Sequence, residues 1–238
     1  MTLSNDTRDR VKGAFEPIAL AMGRAGLTPD ALTLIGFAIT VVGAILLSQQ
    51  LWLAGGLVVL LGGVFDMFDG TLARATGQVS RVGAFMDSVF DKLGELVVYL
   101  GILIGVQVSF LSLPIGDESH GLPFLAAAAM ASAFMVSYTR AKSEGLGFTS
   151  GSGMAAVGIM PREVRLIVLT LGLVLTGLAG GTSPKVTPLG IYSEGAPLLA
   201  IALGIITLGA TITTIQRILH VRNQARLQAS TQPTETST

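Results

Sequence analysis

An all-α, polytopic membrane protein is the fold class this chain predicts, and three observations predict it. Half of its 238 residues are hydrophobic and only 13% are charged, which is the balance of a chain whose helices face lipid as well as each other. Its apolar residues collect into six runs, each long enough to cross a hydrocarbon layer of about 30 Å at roughly 1.5 Å per residue. Turn-forming and polar breaks separate the runs: Gln49-Gln50, Gly77, Pro114 to Gly116, Gly145 to Gly158, and Gly180 to Pro184.

The elements follow in order. Residues 1–24 precede the first run and carry Asp6, Arg8, Asp9, Arg10, Lys12 and Glu16 early on. Without a continuous apolar stretch behind a short basic start, they are no signal peptide. Val11, Phe15, Ile18 and Met22 recur on a single helical face, with Arg8, Arg10 and Lys12 off that stripe. This predicts an amphipathic helix lying in the membrane interface, kinked or divided at Pro17; the plainer alternative is a frayed tail. Residues 25–220 form the membrane domain, with spans over about 30–48, 53–74, 80–107, 122–142, 161–180 and 196–219. Thr28-Pro29-Asp30 is a cap-and-proline start for the first span, and Pro161 opens the fifth. Residues 221–238 lose the apolar pattern and end in Ser, Thr, Gln and Pro, which predicts a disordered tail.

Charge sets the orientation. Of fifteen Lys and Arg residues, thirteen fall before the first span, between spans two and three, around the four–five loop, or at the end of the sixth. Lys185 alone falls on the other side, and Lys92 is within a span. The positive-inside rule then places both termini in the cytoplasm.

Composition also narrows the chemistry. Zero cysteines exclude thiolate catalysis, disulfides and zinc–sulfur sites, and two histidines, His120 and His220, do not make a His-rich centre. A metal in this chain must be held by oxygen, which favours Mg2+ or Mn2+ over Ca2+. Carboxylates to hold it stand where they are costly: Asp66, Asp69, Asp87 and Asp91 lie within the apolar second and third spans. One charge at a bilayer-buried helix centre costs roughly 2.5–3.5 kcal/mol, and only Arg74, Arg81 and Lys92 are nearby cations. Asp66, Asp69 and Ala73 share a face at i, i+3 and i+7, while Gly83, Asp87 and Asp91 share one at i, i+4 and i+8, with Glu95 a turn further. The short connection around Gly77 makes the two helices antiparallel neighbours. Such a cleft suits two divalent cations, which at about 4 Å separation clamp phosphate oxygens during displacement at phosphorus. Arg74 adds a fixed positive charge. A salt-bridge network has too few cations to answer these carboxylates. A divalent-cation transporter is the alternative of another class, although it predicts acidic residues through the whole membrane depth.

The pattern Asp66-x2-Asp69-Gly70-x2-Ala73-Arg74-x8-Gly83-x3-Asp87-x3-Asp91 resembles the signature of the CDP-alcohol phosphotransferase family. The resemblance extends to six spans, a preceding interfacial helix and the cytoplasmic basic bias. It implies transfer of a phosphatidyl group from CDP-diacylglycerol to an alcohol, with release of CMP, at the cytoplasmic face of the cell membrane. It also implies metal ligands at Asp66, Asp69, Asp87 and in part Asp91, two Mg2+ ions with Mn2+ as a substitute, and Asp91 as general base. A cytidine diphosphate pocket at Gly70, Ala73, Arg74 and Gly83, and a homodimer, follow from the same resemblance. The segment Leu27 to Thr33 resembles the branch that uses inositol 1-phosphate more than the glycerol 3-phosphate branch, which remains the alternative acceptor. Asp30 and Thr33 then lie near the nucleotide. By the same likeness Arg140, Arg165 and Arg217 would hold the acceptor phosphate; read singly, each is equally an interfacial anchor. One departure stands out: Pro161-Arg162-Glu163-Val164-Arg165 keeps the arginines of that branch's Glu-Arg-Pro-Glu-Arg but not its flanking acids. Nucleic acid is not among the expected partners.

Overall fold

A computed structural model describes residues 16–111, 121–148, 157–183, 185–187 and 190–231. Seven helices are present among them: α1 (16–24), α2 (Pro29–Ser48), α3 (Trp52–Ala75), α4 (Arg81–Leu111), α5 (Gly121–Gly145), α6 (Arg162–Leu178) and α7 (Ala196–Thr231). Every span expected from the sequence is a helix. Four of them, α2, α3, α5 and α7, are long and apolar enough to cross a membrane. The other two differ for identifiable reasons. Helix α4 is 31 residues long but carries Asp87, Asp91, Lys92 and Glu95 within three turns. Helix α6 has 17 residues, which at 1.5 Å each gives about 25 Å.

Two elements depart from the sequence reading. Lys185–Thr187 (β1) and Gly190–Tyr192 (β2) pair as a short antiparallel ribbon, Val186 opposite Ile191, so the described residues add two short strands to the helices. The tail expected to begin at 221 is helical as far as Thr231, because Arg222, Gln224, Ala225, Arg226 and Leu227 are good helix formers. Residues 232–238 lie outside the described residues, as do Val11 and Phe15 of the expected amphipathic stripe. Of that stripe, Ile18 is exposed, whereas Met22 packs on a buried cluster of Ala19, Leu32, Phe68 and Leu72.

The chain divides into two compact units, residues 1–117 with 173–196, and residues 118–172 with 197–238. The first is organised by α2, which packs against both α3 and α4. Small residues make this close. On α2, a Cβ at Gly36 would lie 3.5 Å from the Gly62 carbonyl oxygen, and one at Gly43 would lie 3.3 Å from that of Gly55. These pairs, each seven residues apart on its own helix, bring the two backbones together without side chains between them. On the other side, Gly101 and Gly105 of α4 sit against the carbonyls of Ala44 and Leu47. Thr28 caps α2 by accepting the Ala31 N–H at 3.2 Å, with Pro29 behind it as expected. Between α3 and α4 the chain turns through Gly77 at φ 70°, and Ser80 starts α4 by accepting the Gly83 N–H at 2.9 Å. At the opposite end of this unit, Ser183 donates to the side-chain oxygen of Gln50 at 2.9 Å.

In the second unit, residues 157–160 are fastened onto α7. Thr213 accepts the Met160 N–H at 2.9 Å, the Met160 side chain lies over Gly209, and Gly158 (φ 117°) abuts Thr213.

Candidate active site

Because Gly36 meets Gly62, the next turn of α3 comes level with the N-terminal turns of α2. A Cβ on Gly36 would be 3.4 Å from the Asp66 amide nitrogen, and one helical turn later Asp69 reaches Thr33. The Thr33 hydroxyl donates to Asp69 Oδ2 at 2.5 Å, and the Gly70 N–H donates to the other carboxylate oxygen, Oδ1. Asp69 is only 4% exposed. Asp66 on the same helix and Asp87 on α4 complete a triad in which one carboxylate oxygen from each residue lies within 4.8 Å of the others.

This donor set fits a divalent cation. At metal–oxygen distances of about 2.1 Å, octahedral ligands are ~3 to ~4.2 Å apart, so three convergent oxygens need little adjustment to share an ion. Asp91 is not part of the triad; it stands one turn beyond Asp87 on the same face of α4 and is half-buried. Glu95, a further turn on, forms an ion pair with Lys92 at 2.8 Å.

Beside the triad is a set of small residues with charges at its rim. A methyl at Gly70 would fall 3.2 Å from the Arg74 guanidinium, so the arginine lies back along α3 over bare backbone. One at Gly83 would fall 3.0 Å from the Ser80 hydroxyl and 3.6 Å from the Asp30 carboxylate. Asp30 and Gly83 are thus neighbours across α2 and α4. Ala73 is half-buried on α3.

The expected acceptor-phosphate residues belong to the second unit. Arg165 and Arg217 are 2% and 4% exposed, which is not how an interfacial anchor sits. Arg165 donates to the Met160 carbonyl at 3.2 Å. Arg217 donates to the carbonyl of Val157 at 3.0 Å and to that of Val136. Arg140 is exposed and paired with Glu144 at 2.9 Å, yet both it and Arg165 lie close enough to Arg217 to repel it. The sequence reading did not anticipate the part played by Thr213 and residues 157–160 in seating these arginines. Thr213 looks like any span threonine in sequence.

Residues 26–206 match the family model for CDP-alcohol phosphatidyltransferase. The chain belongs to this family. It is an enzyme, a CDP-alcohol phosphotransferase of phospholipid biosynthesis, which sets aside the cation transporter. Among its relatives, the archaetidylinositol phosphate synthase of Pyrococcus horikoshii is 36% identical over 166 residues, spanning 68% of this chain and 77% of the relative. The phosphatidylinositol phosphate synthase of Streptomyces avermitilis is 31% identical over 214 residues, 88% of this chain and 78% of the relative. Among solved structures, the Mycobacterium tuberculosis phosphatidylinositol phosphate synthase with CDP-DAG bound superposes with a TM-score of 0.69 at 28% identity, covering 87% of this chain and 92% of that one. The same enzyme in complex with manganese and citrate also gives 0.69, at 27% identity.

Proposed function

We propose that this CDP-alcohol phosphotransferase moves a phosphatidyl group from CDP-diacylglycerol, or its archaeal-lipid counterpart, to inositol 1-phosphate, releasing CMP. The observation that carries the reading is the convergence of Asp66, Asp69 and Asp87 beside Asp30, Gly70, Arg74 and Gly83. Support for the acceptor comes from relatives that are named as inositol phosphate synthases.

Asp66, Asp69 and Asp87 hold the divalent ions, two Mg2+ with Mn2+ as substitute, and Asp91 contributes from the next turn of α4. When bound, the ions neutralise the diphosphate and stabilise the departing CMP. Arg74 adds a charge-assisted contact to the phosphates. Gly70, Ala73 and Gly83 leave room for the nucleotide where any larger side chain would intrude, and Asp30 borders it. Asp91 orients the acceptor hydroxyl and takes its proton as the new P–O bond forms and the bond to CMP breaks. Arg140, Arg165 and Arg217 hold the acceptor's phosphate. Arg140 and Arg165 both lie close enough to repel Arg217, with Glu144 as a counter-charge among the described residues, and a dianion relieves such repulsion.

In this reading α4 and α6 cross the membrane with the other four, the carboxylate end faces the cytoplasm, and two copies form a dimer. An acceptor screen tests the function. Purified protein with CDP-diacylglycerol and Mg2+ should form CMP with inositol 1-phosphate and not with glycerol 3-phosphate or free inositol. Turnover with glycerol 3-phosphate alone would move the chain to the other branch.

A further inference from the structure

Thr33 sits where the sequence suggests a nucleotide contact, and its hydroxyl reaches a carboxylate of the triad. A threonine hydroxyl has one proton to give. The Pro29 carbonyl lies 3.2 Å from it, as helical threonines often arrange. The Asp69 carboxylate is much closer, at 2.5 Å, and both side chains are more than nine-tenths buried, Thr33 at 7% exposed and Asp69 at 4%. The proton therefore goes to Asp69. On the other oxygen of the same carboxylate sits the Gly70 N–H. Each oxygen has two lone pairs, so the two donors occupy one on each. Asp69 is held in one rotation with a lone pair left on each oxygen, and one of its oxygens lies within 4.8 Å of carboxylate oxygens of Asp66 and Asp87.

We infer that Thr33 is a positioning residue for the metal: through its hydrogen bond it fixes the Asp69 carboxylate in the orientation that binds a divalent cation. This rests on the metal-site reading above. Its reach is larger than one hydrogen bond suggests, because Thr33 is on α2 whereas the carboxylates are on α3 and α4. The bond links the helix that supports both carboxylate-bearing helices directly to a ligand. Partners that orient metal ligands in this way typically control affinity by about ten- to a hundredfold.

The test is a Mn2+ titration of the full-length protein in lipid nanodiscs, read by the loss of the free-ion electron paramagnetic resonance signal, with no substrate present. Thr33→Val keeps the shape and removes the donor; Thr33→Ser keeps the donor. Wild type and Thr33→Ser should bind Mn2+ within about twofold of each other. Thr33→Val should bind about ten- to a hundredfold more weakly, and Asp69→Asn should lose saturable binding. In the transfer assay, Thr33→Val should need correspondingly more Mn2+ yet approach wild-type kcat when saturated. A valine variant that binds Mn2+ like wild type while melting at a lower temperature would overturn the inference and leave Thr33 a packing residue; so would serine and valine variants that are equally weak. If the valine variant does not fold, Thr33→Ala is read by the same criteria. Absence of saturable Mn2+ binding by wild type would instead overturn the metal-site reading itself, and this inference with it.

Discussion

A methyl group added at Gly70 would meet the far end of a flexible side chain, the Arg74 guanidinium at 3.2 Å. The arginine can move, so Gly70→Ala should leave folding intact but displace the charge from the phosphates. A charge-assisted hydrogen bond is worth about 1.5–3 kcal/mol; losing it should raise the KM for CDP-lipid by about ten- to a hundredfold in a CMP-release assay. The roles proposed for the aspartates can be separated by substitution. Asp91→Asn should abolish turnover and retain metal-dependent CDP-lipid binding, while Asp66→Asn should lose that binding; equal loss in both variants would remove the base assignment from Asp91. Spacing along single helices made these carboxylates legible in the sequence. The Thr33–Asp69 bond was not legible. It joins residues 36 positions apart, and no periodicity within one helix encodes which face of another it will meet.

At the level of elements, the close approach of α2 and α3 depends on glycines whose roles differ sharply from those of glycines elsewhere. A Cβ at Gly62 would collide with the Thr40 hydroxyl and come within 3.2 Å of the Gly36 carbonyl oxygen, and the second of these is backbone. Gly62→Val should therefore destabilise the protein by at least the ~1–3 kcal/mol typical of overpacking, seen as a lowered melting temperature. Gly204 on α7 makes the contrast, since an added Cβ meets nothing within 4 Å there. Gly204→Ala should be neutral or stabilise by up to about 1 kcal/mol, because alanine has the better helix propensity. Helices are the part of this fold that the sequence states most plainly, since apolar length and caps such as Thr28-Pro29 mark them. Their ends were harder to read. Polar residues after His220 look like a tail, yet α7 continues through them, and the β1–β2 ribbon is too short for an alternating pattern to stand out.

For the whole molecule, the carboxylates gather at the end of the first unit formed by α1, the start of α2 and the α3–α4 turn. Gln50 and Ser183 mark the other end. The cytoplasmic placement proposed for the carboxylate end is directly testable because the chain has no native cysteine. A membrane-impermeant maleimide applied to intact spheroplasts should label Ser183→Cys and leave Gln78→Cys unlabelled until the membrane is permeabilised; the reverse pattern would invert the topology. Arginine and lysine counts predict this orientation, but they cannot say that Arg165 and Arg217 are buried. That burial arises from a segment of coil folding back onto α7, which no local composition announces. The five residues from Thr76 to Ser80 have a further consequence. Even fully extended they bridge no more than about 17 Å, and a reversal at Gly77 shortens that tether. The end of α3 and the start of α4 are leashed to each other, so the two helices that carry the carboxylates cannot part at this end by more than that tether allows.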